Sequence, residues 1–276
     1  MKKSLLKIKY CFTLLMALSA IYPSIAQTVH HGFRLKKGDE YQRQILVRSN
    51  SLLQRGGQRL NLHTYSDVTK VYKINETNDR ETVNITINKI VDTIDALGQK
   101  VVFDSDKRPD PDSYIQTSLL QLLGKTAQVS IDEYGKILSV QKRLPADDTL
   151  LSFTGIQNEN LAKGNLLEFT TDLPPGPILK KGYNWKDSTA NTVTKFMVYA
   201  VSSRTTTITY STTDYSGNLN SRINGVLLVE NESGLVLKRS TQSVTTGYEL
   251  VKGVIYTATR RTATTEICYK IAGTDK

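Results

Sequence analysis

Apolar and polar residues alternate with period two through most of the chain, and this restricts it to folds built from half-buried β-strands. Val83, Ile85 and Ile87 fall in one phase, with Thr82, Asn84, Thr86 and Asn88 in the other. Ala127, Val129 and Ile131 alternate in the same way with Thr126, Gln128 and Ser130. In the long C-terminal run, Tyr248, Leu250, Val254 and Tyr256 share a phase and are expected on one face. Turn signals interrupt the pattern at 55–57, 75–80, 95–98, 132–135, 214–217 and 230–234, each holding glycine or a cluster of Asn and Asp. Short strands with frequent turns and no βα alternation predict antiparallel meanders.

Two stretches break the alternation. Residues 112–124 place Ile115, Leu119, Leu122 and Leu123 at helical spacing, with Asp112 as an N-cap and Gly124 as a stop. Residues 157–170 repeat this pattern with Leu161, Leu166, Leu167 and Phe169, although Gly164 weakens such a helix by about 1 kcal/mol. The run Asp172-Leu173-Pro174-Pro175-Gly176-Pro177 must then be extended. After it, Leu179-Lys180-Lys181-Gly182-Tyr183-Asn184-Trp185 echoes Leu35-Lys36-Lys37-Gly38-Asp39-Glu40-Tyr41, and both motifs lead into a run of strands. The expected organisation is a leader at 1–26, an N-terminal β unit at 27–150, a helical and Pro-rich connection at 151–177, and a C-terminal β unit at 178–276. The fold class is mainly β (α+β): antiparallel meanders forming one curved sheet or half-barrel, with two short helices covering one face.

Residues 1–10 are basic, Cys11 to Tyr22 are almost wholly apolar, and Ser24-Ile25-Ala26 places small residues before a cut after Ala26. This is the three-part pattern of a cleaved secretory signal. Its apolar run is about 12 residues, short of the roughly 20 that span a bilayer. The expected address is the periplasm or the cell surface. After removal of the signal, 32 basic and 26 acidic side chains remain, and so does a single cysteine, Cys268, read as a buried small hydrophobe near the end of the last strand.

Residue chemistry argues against several activities. There is no G-x-S-x-G elbow, no H-E-x-x-H and no C-x-x-C pair. His30 and His31 lie at the mature N-terminus, and His63 falls on an expected strand. Gly124-Lys125-Thr126 resembles the end of a phosphate loop, but Leu119 stands where the earlier glycine is required. Asp104, Asp106, Asp110 and Asp112 cluster, yet Lys107 and Arg108 sit among them and the glycine and terminal glutamate of a calcium loop are missing. Basic doublets are dispersed, and export argues against nucleic acid as the partner. Asp92-Thr93-Ile94, Asp148-Thr149-Leu150 and Asp187-Ser188-Thr189 fit a short O-glycosylation pattern of exported proteins. No cofactor or metal is expected, and no enzymatic activity.

The motif Phe33 to Tyr41, the stretch Phe103 to Asp106, the segment Leu122 to Lys125, the hairpin Val129 to Ile137, and Leu173-Pro174 leading to Gly182-Tyr183-Asn184-Trp185 occur in an order that resembles a family of uncharacterised bacterial exported proteins, a domain of unknown function. The resemblance covers nearly all of the mature chain and brings no site residues with it. The architecture is also similar to periplasmic lipoprotein-carrier half-barrels, in which helices lid an apolar cavity. That analogy implies a non-enzymatic binder of a lipid or other apolar ligand in the envelope, with Ile115, Leu119, Leu122, Leu123, Leu161, Leu167 and Phe169 lining the site. The same leucines can instead simply close the core, as helical apolar stripes usually do. The alternative function is a structural or protein-interaction module of the envelope. No transmembrane segment is expected after signal cleavage.

Overall fold

The computed structural model describes residues 37–77, 80–132, 135–143, 154, 156, 161–170, 179–215, 217–251 and 253–271. The expected signal segment, the histidines at 30 and 31, and the Pro-rich run lie outside them. The described residues form one 12-stranded antiparallel sheet. Its strands are β1 (Glu40–Arg55), β2 (Gln58–Thr77), β3 (Arg80–Ala96), β4 (Gln99–Asp104), β5 (Thr126–Ile131), β6 (Ile137–Lys142), β7 (Asn184–Ser188), β8 (Thr192–Val201), β9 (Thr205–Asp214), β10 (Leu219–Glu230), β11 (Val236–Val251) and β12 (Val254–Ile271). The order across the sheet is β6-β5-β3-β2-β1-β12-β11-β10-β9-β8-β7, with β4 pairing the far half of β3. Two antiparallel runs, β1–β6 and β7–β12, meet in the middle of one open sheet. The first and last strands pair along nearly their whole length, from Glu40 with Ile271 to Gln54 with Thr257, and the sheet stays open between β6 and β7.

Alternation decides which face is covered. In β1, Tyr41, Arg43, Ile45 and Val47 are buried while the intervening side chains are more exposed. Cross-strand register carries this inward phase to Tyr72 and Val68 on β2, to Ile85 and Ile90 on β3, and to Glu266 and Cys268 on β12. One inward cluster joins Tyr41, Tyr72, Ile85, Val129, Ile137, Leu167 and Phe169. A second joins Val68, Ile87, Ile90 and Phe103 to Leu119 and Leu122. Smaller clusters under β7–β11 hold Ile208, Leu227, Val229 and Val236, and Leu179 with Val198.

The described residues contain one helix, α1 (Tyr114–Leu120), shorter than the expected 112–124. Its N-cap is Ser113, whose side chain accepts from the Gln116 N–H at 3.4 Å, and not Asp112. Gly124 ends the segment at φ 67°, as its αL preference allows. The second expected helix does not form over 161–170; its residues 157–160 lie outside the described set. Gly164 turns the chain at φ 90°, and the backbone then pairs with neighbouring hairpins. The Ile137 N–H donates to the Asn165 carbonyl (2.8 Å) and the Leu167 N–H to the Gly135 carbonyl (3.0 Å). The Val236 N–H donates to the Phe169 carbonyl (2.9 Å). The segment satisfies its polar groups by bridging the β5–β6 and β10–β11 hairpins, which removes the advantage of helix.

The two glycine motifs occupy equivalent backbone positions. Gly38 and Gly182 both have φ 86°. The Gly38 N–H donates to the Ile74 carbonyl, and the Ile74 N–H donates back to Asp39. Likewise the Gly182 N–H donates to Val198, and the Val198 N–H donates back to Tyr183. Three residues after each glycine an aromatic residue faces another across the strand pair, Tyr41 with Tyr72 and Trp185 with Phe196. One expectation of phase fails. Tyr248 and Leu250 point outward, but Tyr256 pairs with Glu249, on the inward face. Val251 and Val254 close a two-residue turn, so the even-numbered phase changes face across it.

Candidate functional site: a transverse groove on the outward face

A groove of about 980 Å³ crosses the C-terminal half of the sheet at right angles to its strands. It is built from three adjacent cross-strand rows, each with one residue from every strand from β7 to β12. The first row is Asn184, Met197, Thr209, Val226, Ser240 and Thr265. The third is Lys186, Lys195, Ser211, Asn224, Gln242 and Ala263. Both point away from the core; Met197 and Val226 are 44% and 41% exposed. The middle row, from Trp185 to Thr264, turns its side chains inward and presents its backbone as the floor. Five inter-strand steps make the groove about 24 Å long, and the two walls stand about 7 Å apart along the strands.

The inward side of the floor is a ladder of rings. Trp185 and Phe196 stack at 4.9 Å with 9° between planes, and Tyr210 follows at 5.9 Å. The Tyr210 ring lies over Gly225, where a Cβ would come within 2.3 Å of it, and a 2.9 Å hydrogen bond links its hydroxyl to that of Thr241. Register shifts that leave an extra residue, Tyr199 in β8 and Leu237 in β11, fall within three residues of the walls. Such bulges bend the strand that carries them.

The walls offer hydroxyls, amides, the aliphatic side chains of Met197, Val226 and Ala263, and two lysines. They hold no carboxylate, imidazole or thiol. Lys186 and Lys195 sit directly opposite each other at the β7 end, a like-charge pairing that disfavours the sheet unless an anion lies between them. The chemistry available is hydrogen bonding along most of the groove, apolar contact at Met197, Val226 and Ala263, and anion attraction at the β7 end.

A second concentration of charge is interior. Arg43 is 2% exposed, contacts Glu168 and Glu266, and donates to the Tyr72 hydroxyl at 3.1 Å. Arg239 reaches Glu266 at 3.4 Å, and Lys70 is buried nearby on the same inward phase. Burial acts to raise the Glu168 carboxyl, but Arg43 and Lys70 outweigh it and hold the carboxyl below the usual glutamate range. Burial pushes the Cys268 thiol up to about 12. Tyr41 is raised by burial and by its hydrogen bond to the Asp39 carboxylate (3.0 Å). This network ties residues 161–170 to β1, β11 and β12. Its sequence signal was an arginine in the inward phase of β1, which alternation alone marks as exceptional.

The sequence-nominated residues divide between two core clusters. Leu119 and Leu122 are buried beside Val68, Ile90 and Phe103, with Ile115 and Leu123 packed against them. Leu167 and Phe169 are buried against Tyr41 and Tyr72, with Leu161 alongside. None of the seven lines the groove. Cys268 is buried and unpaired in a disulfide. His63 lies on β2, exposed, with its Nδ1 2.6 Å from the Asn50 side-chain oxygen. Three of the four aspartate side chains at 104–112 are engaged locally: Asp104 with Lys107, Asp106 with Lys89, and Asp110 accepting from the Asp112 N–H. Among the described residues no group of three or more His, Cys, Asp or Glu side chains is placed to hold a metal ion, and no helix is long and apolar enough to cross a membrane.

Residues 78–144, from the β2–β3 turn to just past β6, match a family described as one of unknown function (DUF6263). The expected likeness to an uncharacterised domain is found over that stretch. No curated protein matches the chain. Among solved structures, one titled for lipid–protein interactions in lipovitellin aligns over 88% of this chain with a TM-score of 0.53 and 10% identity. The chain spans 26% of the length of that lipovitellin chain. OpdQ of Pseudomonas aeruginosa aligns over 86% of this chain and 100% of its own at 9% identity, but with a TM-score of 0.21 that carries no structural argument. The chain is therefore similar in part to a family without an assigned role, and it shares with lipovitellin the fold of a large open β-sheet.

Proposed function

We propose that the protein is an exported, non-enzymatic binder of an elongated amphipathic molecule of lipid type, held in the transverse groove. The carrying observation is the groove itself: about 980 Å³, six strands long, with Met197, Val226 and Ala263 spaced among hydroxyl and amide side chains, and free of carboxylates. Proton transfer or nucleophilic attack needs an acid–base pair or an activated nucleophile at the site, and the walls offer hydroxyls, amides and the facing Lys186 and Lys195, with no carboxylate, imidazole or thiol beside them. The likeness of fold to lipovitellin, a protein described through its lipid–protein interactions, supports a lipid-type ligand. Export follows the pattern of residues 1–26.

This reading moves the binding surface from the helix-covered face to the opposite one. The inward face is occupied by its own side chains, Leu119 and Phe169 among them, whereas the outward groove is open. The test is native mass spectrometry of protein purified without detergent from its own envelope, followed by solvent extraction. A stoichiometric amphiphile, lost in the double variant Met197→Phe/Val226→Phe, is the expected result. A clean apo mass that takes up neither added fatty acid nor phospholipid would overturn it.

A further inference from the structure

The outward face of β7–β12 has an uneven charge. In its central cross-strand rows the outward positions hold Lys186, Lys195, Arg222, Lys238 and Arg261, and no aspartate or glutamate. All five are exposed, and none forms an ion pair with a described residue. The same face of β1–β3 carries Glu40, Asp67 and Asp95, so the bias belongs to the C-terminal half. Glu249, paired with Arg260, and Glu266, paired with Arg43 and Arg239, are turned the other way, and Glu230 shares the outward phase only at the far end of β10, outside these rows.

Exposed apolar side chains share this face. Val226, Val244 and Ile267 are 41%, 44% and 38% exposed among the basic residues. The β11–β12 hairpin then runs on past its neighbours, since β10 pairs β11 only as far as Gly247 and β1 pairs β12 only as far as Thr257. Beyond those points Leu250 and Ile255 lie opposite each other, outward, at 70% and 63% exposure. A soluble surface has no reason to gather basic residues without acids around unpaired aliphatic side chains. An anionic lipid surface meets both needs, with charge attraction to headgroups and apolar contact at their depth.

We propose that this face docks on an anionic lipid bilayer, the five basic side chains meeting headgroups while Leu250 and Ile255 enter the interfacial layer. The groove opens on the same face, so a docked protein presents it to the membrane. The inference does not rest on the groove holding a ligand.

The experiment is flotation of the purified protein with phosphatidylglycerol/phosphatidylcholine vesicles, against vesicles of phosphatidylcholine alone. Binding is expected to the anionic vesicles only and to weaken as salt is added. Each of Lys238→Gln, Arg222→Gln and Arg261→Gln, all outside the groove walls, is expected to reduce it about fivefold. Leu250→Ser/Ile255→Ser is expected to weaken binding without changing the melting temperature, since neither side chain is buried. Equal binding to neutral vesicles, no binding to anionic ones, or an unchanged affinity in the glutamine variants would each overturn the proposal. Binding instead to soluble acidic polymers with vesicles ignored would assign the face to a polyanion and not to a bilayer. Ligand uptake measured without vesicles is unaffected by any of these outcomes, so failure here is distinct from failure of the groove.

Discussion

Truncating Phe169 tests the packing of the inward face. The side chain is 1% exposed, stacks on Tyr41 at 5.9 Å and meets Tyr72 edge-on at 4.6 Å. It also anchors the one described segment that bridges the β5–β6 and β10–β11 hairpins. Removing a buried phenylalanine costs about 3–5 kcal/mol, because transfer energy is lost and the cavity only partly collapses. Two ring contacts place Phe169→Ala toward the upper end of that range. For a domain of this size each kcal/mol moves the melting temperature by about 2–4 °C, so a fall of roughly 6–20 °C is expected. Urea denaturation followed by far-UV circular dichroism gives the free energy, and a thermal melt the temperature. Leu161→Ala, at a partly buried position beside the same cluster, should cost less than half as much. A loss below about 1 kcal/mol for Phe169→Ala would mean that the 161–170 segment is not packed on the sheet.

Gly225→Val should destabilise by about 1–3 kcal/mol in urea, because the new side chain meets the Tyr210 ring and displaces it from Thr241. Leu97 sits at φ 55° beside Gly98 at φ 76°, a turn that prefers Asn-Gly, so Leu97→Asn should raise stability by about 1 kcal/mol; a loss would show that Leu97 makes a contact beyond the turn. Glu168 is held below its unfolded value, so its contribution is complete above that value and disappears as pH falls through the folded one. Glu168→Gln should therefore be less stable than the parent at neutral pH, with the gap closing as the solution is acidified below about 4.5; a gap independent of pH would contradict the network.

Much of the sheet could be read from local pattern. The alternation at 82–88 and 126–131 marks β3 and β5, and the turn signals at 55–57, 95–98, 132–135, 214–217 and 230–234 fall between strands. Those signals are local, because a turn needs only its own residues to adopt positive φ. Residues 157–170 misled because Leu161, Leu166, Leu167 and Phe169 are spaced as on a helix, while the backbone of 161–170 pairs with hairpins distant in sequence. The parity change between Leu250 and Tyr256 follows from the length of a turn, which the phase of hydrophobicity does not encode. The groove could not be read at all. Its residues come three at a time from six strands, and Lys195, Ser211 and Gln242 look, in sequence, like any outward positions of a half-buried strand. What distinguishes them is the register that sets them in rows, together with the bend of the sheet beneath.

The groove holds the central claim, and the chain offers an internal probe for it. Trp185 is the single tryptophan; its backbone belongs to the groove floor on β7 and its ring lies directly beneath, stacked on Phe196, one backbone layer from a molecule seated in the groove. Its fluorescence, titrated with a fatty acid brominated along the acyl chain, should be quenched saturably, and the quenching should be lost in Met197→Phe/Val226→Phe. Absence of quenching, or quenching that persists unchanged in the filled variant, would contradict a ligand seated across β7–β12.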